Sequence, residues 1–426
     1  MEDFFDKIQN IAGVTKYSSS EVVTPKNIVS DMIDLIEEED SNIFNPDATF
    51  FDPAVKSGRF LVEIHNRLMK SQLMIEAFPN SEDRHTNIIH NQLFGAATSP
   101  LAAAVVRKTL YDDSTITGNI IYLGSSKITD ANSVKGAFNK MKFNVVIGNP
   151  PYNRGGDIDF VKLGYDISSQ YCVMITPAKW QTAEADQKIA SKMTYGEFRK
   201  QLVPHMSHVV FYPDCKDVFD IEIAEGITYF LMIKDTNSTC IVDTRCRLCK
   251  DFNSVEIRDI KSRQCLNNFG HQVIANLGNY TAFKFNQPLK KRYQVWTSDL
   301  INPGKVDTSM LFSKSNNLLV IRPSEIIDTK SGLSPSYTSP RLVFSGDTEA
   351  ECKFFLSWLN SKFTRFFIML NISSRSNVLT NDYFRFVPAP PSGKFDHIYT
   401  DQELYQAFNL PQKYIDVIEA IIKERK

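Results

Sequence analysis

Short apolar runs alternate with helical apolar stripes through residue 235 of this chain. Each run is too short for a helix and predicts a buried strand, and each stripe predicts an amphipathic helix. Strands are predicted at 48–51, 88–94, 120–123, 143–147, 172–175, 208–211 and 226–233, and helices at 25–38, 60–74 and 101–111. This alternation predicts an α/β fold with an open, doubly wound, mostly parallel sheet, whose ligands bind at the carboxyl ends of its strands.

The pattern changes after residue 235, where short β-like runs lie among Asn, Ser and Lys. Residues 351–371 then predict one long apolar helix that carries basic side chains, and the end of the chain predicts two short helices separated at Pro411. We therefore predict three units. They are a first domain at 1–235, an irregular α+β domain at 236–400 and a helical tail at 401–426.

The net charge of −1 hides an uneven distribution along the chain. The balance is −8 over residues 1–235, +8 over 236–400 and −1 over the tail. A basic second half indicates a surface that meets a polyanion. The chain shows no basic leader and no apolar run of membrane-spanning length, so we expect a cytoplasmic protein without a membrane segment. Seven cysteines at irregular spacing favour reduced thiols.

Two loops that directly follow predicted strands carry the candidate chemistry. The first is 52–58, and the second is Asn149-Pro150-Pro151-Tyr152. The two prolines stiffen the second loop, so that the Asn149 side-chain oxygen and the Pro150 carbonyl can both face one amine. Two acceptors on an amine conjugated to a ring draw its nitrogen toward tetrahedral geometry, and Tyr152 can stack on that ring.

No metal site is predicted. Cys246 and Cys249 form a CxxC pair, but the chain offers no second pair at the spacing that zinc sites use.

The segments FDPAVKSGRFLVEI and FNVVIGNPPY together resemble the gamma-class N6-adenine DNA methyltransferases, and are most similar to methylases of type II restriction–modification systems. The resemblance implies a class I methyltransferase fold, S-adenosylmethionine (SAM) as cofactor and a flipped adenine in double-stranded DNA as substrate. It also leaves room for a separate cognate restriction endonuclease as a partner. The order of motifs holds to about residue 235, and the second half is similar only in position and character to a target-recognition domain.

The resemblance implies a role for individual residues. Asn149 to Tyr152 match the catalytic motif, with Asn149 also beside the cofactor, and Phe219 matches the aromatic on the other face of the flipped base. The residues that match SAM contacts are Thr24, Pro25, Asp52, Pro53, Ser57 and Gly58. From the residues themselves, Thr24 is also predicted to cap a helix with Pro25 in its first position. Gly58 is expected to let the backbone approach the ligand, and Asp52 to hold the methionine amine.

The chain departs from the family pattern at three points. Acidic residues are missing after the second and third strands, where Thr98 and Ser125 could substitute with hydroxyls, and Lys56 replaces a smaller residue in the first loop. In the basic half, we expect residues 358–375 to face DNA. Lys362, Arg365 and Arg375 would contact phosphates while Phe363, Phe366 and Phe367 lie in the core.

Three alternatives stay open at this point. An RNA-base or a protein-glutamine methyltransferase can share the same tetrapeptide, and a non-catalytic DNA-binding relative can keep the fold. The basic second half favours a nucleic acid over a glutamine side chain. No nuclease motif accompanies the methylase motifs, so we expect methylation without cleavage.

Overall fold

A computed structural model gives the fold of the chain. It describes residues 1, 16–18, 21–124, 127–181, 183, 185–212, 215–221, 223, 226–237, 239–245, 255–257, 268–285, 291–297, 300–301, 320–321, 325–331, 342–370 and 381–422.

The strands, in chain order, are β1 Lys16–Ser18, β2 Glu21–Val22, β3 Phe50–Val55, β4 Leu93–Ala97, β5 Ile120–Tyr122, β6 Phe143–Gly148, β7 Ser168–Pro177, β8 Met206–Tyr212, β9 Ile227–Ile233, β10 Cys240–Thr244, β11 Val255–Ile257, β12 Tyr293–Thr297, β13 Leu300–Ile301, β14 Val320–Ile321, β15 Glu325–Asp328 and β16 Leu342–Gly346. The α-helices are Lys26–Glu39, Arg59–Lys70, Gln72–Ala77, Ser81–Asn87, Pro100–Tyr111, Ala131–Phe138, Asp157–Ile167, Tyr195–Gln201, Asn268–Leu277, Glu349–Asn360, Lys362–Met369, Asp401–Ala407 and Gln412–Ile421.

A nine-stranded sheet dominates the first half, in the order β11-β10-β8-β9-β7-β6-β3-β4-β5. The five neighbouring strands β5-β4-β3-β6-β7 all pair in parallel. Strand β9 lies between β7 and β8 and is antiparallel to both. The chain leaves β3 toward β4 and β5 and then returns to β6 on the other side of β3, so the order reverses between β3 and β6. The predicted doubly wound, mostly parallel sheet is confirmed, and its switch point lies at the ends of β3 and β6.

Helices cover both faces of this sheet, because its central strands are apolar on both sides. Every residue of β3 is buried. Phe50 belongs to the hydrophobic cluster on one face and Phe51 to the cluster on the other, as expected from the alternation of side chains along a strand. The switch point is therefore held by a rigid core.

Three predicted elements differ from the structure. Residues Ile88–Gln92 form a π-helical turn, and the strand is only Leu93–Ala97. The helix predicted at 60–74 breaks at Ser71, and the helix predicted at 351–371 breaks at Ser361, whose hydroxyl accepts from the Thr364 amide at 3.0 Å. An apolar stripe continues across such breaks, so the pattern alone does not reveal them.

The second half forms a separate hydrophobic cluster. A three-stranded antiparallel sheet, β15-β12-β16, packs with the Glu349–Asn360 helix. The helices of the predicted tail share this cluster, and the Phe363 amide donates to the Asp401 carboxylate at 2.8 Å. In the other direction, β10 pairs with β8, so the large sheet continues past the predicted boundary at residue 235. Both predicted boundaries, after residues 235 and 400, are thus crossed by contacts between residues far apart in sequence, which composition could not show.

Candidate active site

The two segments that the sequence singled out meet at the switch point of the sheet, although residues 52–55 belong to β3 and only 56–58 form the loop after it. Strands β3 and β6 are direct neighbours, with Phe50 opposite Val145 and Phe51 opposite Val146. Residues 52–58 therefore lie beside Asn149, which directly follows β6. A β-carbon on Gly148 would lie 2.7 Å from Asp52 Oδ1, so that position requires glycine. Sequence-distant residues thus form one site.

Asn149 is held by a segment from the N-terminal part of the chain. The side chain is 3% exposed, and its Nδ2 donates to the Val22 carbonyl oxygen at 3.1 Å and to Thr24 Oγ1 at 3.0 Å. Both N–H groups of the amide are used by these two acceptors. Its Oδ1 atom is buried and has no hydrogen-bond partner within the part of the chain that the structure describes. The site therefore presents one buried acceptor that no described residue satisfies.

Thr24 does not cap a helix. The helix begins at Lys26 with Pro25 in the N-cap position, and no side chain caps it. The Thr24 hydroxyl accepts from Asn149 instead, 125 residues away in sequence. The predicted cap is wrong because a long-range partner takes the hydroxyl that the local sequence pattern assigned to the helix.

The loop after Asn149 is largely buried. Pro150 and Pro151 are buried and Tyr152 is half-buried, with its hydroxyl 3.5 Å from the Ile175 carbonyl oxygen. Burial raises the pKa of Tyr152, so its ring carries a neutral hydroxyl. Phe219 is 3% exposed and belongs to the hydrophobic cluster against which Tyr152 packs. The two aromatic residues that were expected to flank a base thus lie in one apolar region.

Asp52 places a carboxyl group beside this site. It is 3% exposed, and its Oδ1 accepts from the Ala54 amide at 2.9 Å. Burial raises its pKa to about 7, against the opposing effects of the Ala54 hydrogen bond and the charge of Lys56. The charge of Asp52 therefore changes near neutral pH. Pro53, also in β3, and Ser57, in the loop after it, are buried as well.

Lys56 and Arg59 connect the loop to the N-terminal segment. Lys56 is 6% exposed and its Nζ donates to the Val22 carbonyl oxygen at 3.2 Å, while Arg59 Nη1 donates to the Thr24 carbonyl oxygen at 2.9 Å. Together with Asn149 they surround a cavity of about 20 Å³. Such a volume is close to that of a single water molecule, so the segment covers the loop tightly.

Gly58 has a structural requirement that the sequence did not reveal. Its φ of +85° lies in the left-handed region, and a β-carbon there would lie 3.2 Å from both Val106 methyl groups. The nearest obstacle is thus the Pro100–Tyr111 helix. Glycine is required here by backbone conformation and by helix packing. Gly58 also lines the small cavity beside Asp52 and Asn149, and the expected approach of a ligand to its backbone stays a prediction.

Other predicted residues fall in several places. Thr98 is half-buried and directly follows β4, the neighbour of β3, at the same edge of the sheet. Ser125, Arg375, Cys246 and Cys249 lie outside the described residues. No group of potential metal ligands occurs among the residues that the structure describes. None of its described helices is long and apolar enough to cross a membrane.

Two of the predicted phosphate contacts are corrected by burial. Arg365 is 2% exposed, with its Nε donating to the Ser361 carbonyl oxygen at 3.3 Å. The Lys362 ammonium pairs with Glu419, and its side chain is 13% exposed. Both cations serve the packing of their own domain, so neither presents its charge to a phosphate. Phe363, Phe366 and Phe367 lie in the core, as predicted.

Sequence reasoning missed one buried contributor to the site and one buried carboxyl that does not line its cavity. One is the Val22 carbonyl, which no sequence pattern reveals because it belongs to the backbone. The other is Asp157, which begins the Asp157–Ile167 helix and is 4% exposed. Burial raises its pKa to about 7. An acidic residue at the start of an apolar helix was the available signal.

Comparison with known proteins supports the motif assignment. Residues 4–161 match the N-6 DNA methylase family. An uncharacterized adenine-specific methylase of Mycoplasma pneumoniae is 25% identical over 326 residues, covering 58% of this chain and 75% of that protein. The predicted resemblance to N6-adenine DNA methyltransferases, and with it the predicted enzyme class, is confirmed by these matches.

Solved structures give weaker likenesses. A modification subunit of a putative type I restriction enzyme from Vibrio vulnificus has a TM-score of 0.41 at 14% identity, over 56% of this chain and 49% of that one. The type IIG restriction endonuclease BpuSI has a TM-score of 0.42 at 12% identity, over 98% of this chain and 68% of that one. The chain thus spans about half the length of the type I subunit.

Proposed function

We propose that this chain transfers a methyl group from SAM to the N6 amine of an adenine rotated out of double-stranded DNA. One observation carries the proposal: Asn149 Oδ1 is a buried acceptor without a partner among the described residues, while both N–H groups of the same amide are engaged. An unpaired buried acceptor is costly to keep, which indicates that a donor is supplied by the substrate.

The chemistry of an aromatic amine explains the use of such an acceptor. The nitrogen lone pair of adenine N6 is delocalised into the ring and attacks poorly. Asn149 Oδ1 and the Pro150 carbonyl would accept its two hydrogens and favour the tetrahedral geometry of the transition state. Tyr152 and Phe219 would hold the ring between them, and Pro150 and Pro151 keep the loop stiff.

The donor set around the first loop fits the methionine end of SAM. Asp52 would pair with the ammonium group and Lys56 with the carboxylate, since both side chains line the same small cavity. When bound there, SAM supplies the electrophilic methyl group. The cavity of about 20 Å³ is too small for an amino-acid group, so Lys56 or the Val22–Thr24 segment must move to admit it. Ser57, Gly58, Thr98, Pro25 and Pro53 complete the proposed contacts, and the left-handed backbone of Gly58 sets the loop conformation.

We assign DNA recognition to the basic second half. A cleft of about 870 Å³ there has Lys284 and Lys394 in its wall together with Phe283 and Phe395. Lys284 and Lys394 are exposed and replace Lys362 and Arg365 as the proposed phosphate contacts. A separate restriction endonuclease of the same sequence specificity is part of this proposal, because the motifs resemble those of restriction–modification methylases.

The test is transfer of a labelled methyl group from SAM to unmethylated genomic DNA, followed by mass spectrometry of the digested nucleosides. We expect N6-methyladenine as the product. Parallel reactions with total RNA and with a protein extract contain the competing acceptors. Label found in RNA or on a glutamine side chain would identify that molecule, and not DNA, as the substrate. SAM binding without transfer to any acceptor would identify a non-catalytic relative.

A further inference from the structure

The amide of Asn149 can adopt two orientations that differ by exchange of its oxygen and nitrogen atoms. Only one of them directs Oδ1 toward a substrate amine. The Val22 carbonyl oxygen can only accept a hydrogen bond, so it requires the nitrogen on its side at 3.1 Å. In the exchanged orientation two oxygens would face each other in a buried place. The Val22 carbonyl therefore determines the orientation of the Asn149 side-chain amide.

Thr24 reinforces this choice with a side chain. Its Oγ1 accepts the second N–H of Asn149 at 3.0 Å, and Thr24 is 4% exposed. The segment itself is anchored on both sides of this contact. Lys56 and Arg59 donate to the carbonyl oxygens of Val22 and Thr24, and the Val29 amide donates to the Pro25 carbonyl oxygen at 3.0 Å. Thr24 is therefore fixed in place by the loop that follows β3.

We propose that Thr24, together with the Val22 carbonyl, is a positioning residue that fixes the Asn149 amide with its oxygen toward the substrate amine. This inference rests on the proposed function for its catalytic consequence, but the hydrogen bond can be tested without catalysis. The segment thereby connects the loop proposed to hold SAM with the residue that activates the amine. Opening of the segment to admit SAM must then be followed by its return before Asn149 is correctly oriented.

Two variants of Thr24 separate the hydroxyl from the shape of the side chain. Thr24→Val keeps the shape and removes the acceptor, whereas Thr24→Ser keeps the acceptor. Thr86→Val is the matched control, because Thr86 is exposed on the Ser81–Asn87 helix. We expect Thr24→Val to lower the single-turnover rate on DNA about tenfold at saturating SAM, the effect of removing one hydrogen bond. Because the Thr24 hydroxyl is engaged by Asn149, the expected contact of Thr24 with SAM would be made by its backbone, which Thr24→Val keeps. SAM affinity should therefore stay within about threefold, and Thr24→Ser should restore most of the rate.

A second measurement follows the amide itself. In protein labelled with ¹⁵N-asparagine, the side-chain amide signal of Asn149 is assigned by its loss in Asn149→Ala. One of its two proton resonances should shift in Thr24→Val and keep its position in Thr86→Val. If that resonance does not move, or if Thr24→Val weakens SAM binding as much as it slows the reaction, the inference is overturned. Absence of methyl transfer by the unaltered protein, with the resonance shift still present, would instead refute the proposed function alone.

Discussion

Replacing Asp52 with asparagine should stabilise the ligand-free protein above neutral pH and weaken its affinity for SAM. The Asp52 carboxyl is buried, and burial raises its pKa from 3.8 to about 7. A tenfold change in proton affinity corresponds to about 1.4 kcal/mol, so ionising Asp52 in the folded protein costs about 4 kcal/mol more than in the unfolded chain. The variant has no charge to bury at this position.

The sign of the pH dependence follows from the raised pKa. Below the unfolded pKa near 4 both states are protonated and Asp52 carries no penalty. As pH rises toward 7 the unfolded chain loses its proton first, so stability falls, and the loss is complete above the folded pKa. We expect the advantage of Asp52→Asn to be about 1–2 kcal/mol near pH 5 and about 4 kcal/mol near pH 8. Any cost of placing an amide there is the same at both pH values.

Urea denaturation near pH 5 and pH 8 measures this difference, and titration calorimetry measures SAM affinity. Asp157→Asn is the matched control, because Asp157 is also buried with a pKa raised to about 7 but does not line the cavity beside Asn149. Both variants should show the same gain in stability at high pH. Only Asp52→Asn should bind SAM more weakly. In the unaltered protein, ionisation of Asp52 should strengthen SAM binding as pH rises through 7, and this pH dependence should be absent from Asp52→Asn.

Two results would refute this reasoning. A stability difference between Asp52→Asn and the unaltered protein that does not change with pH would mean that Asp52 is already ionised or paired in the folded state. Equal SAM affinity in both variants would remove Asp52 from the cofactor site, while leaving the argument about burial intact.

Three further predictions follow from the same site and cleft. Asn149→Ala should lower the rate of methyl transfer by about 10²–10³ with SAM affinity nearly unchanged, measured by single-turnover kinetics and calorimetry, and a variant that keeps most of its rate would refute the assigned mechanism. Gly58→Ala should lower the free energy of unfolding, measured in urea, by about 1–2 kcal/mol, because the backbone is left-handed and Val106 lies close. Gly136→Ala, on an open helix surface, is the control and should be neutral or stabilising. Replacing Lys284 and Lys394 with Glu should weaken DNA binding, and the slope of log affinity against log salt should fall by about 1 for each phosphate that is no longer neutralised. Lys353→Glu, which breaks a surface pair with Glu349, is the control and should leave both quantities unchanged. Equal effects of the cleft and control variants would place the DNA surface outside the cleft.

The sequence by itself determined the elements and the reacting loop. Apolar runs at 48–51 and 143–147 predicted buried strands, because the strand pattern is a property of neighbouring residues. The segments FDPAVKSGRFLVEI and FNVVIGNPPY carried the resemblance to N6-adenine DNA methyltransferases. The alternation of strands and helices predicted a doubly wound, mostly parallel sheet, without its strand order. These features depend on local chemistry, which the sequence contains directly.

Only the tertiary structure decided what each polar side chain faces. It showed that Thr24 is a partner of Asn149 and not a helix cap, that Gly58 lies against Val106, and that Arg365 is buried in the second half of the chain. Burial and hydrogen-bond partners depend on residues far away in sequence, and Thr24 and Asn149 are 125 positions apart. The same residue type is exposed or buried according to how the chain brings distant surfaces together, so its energy and its role are fixed only when the fold is complete.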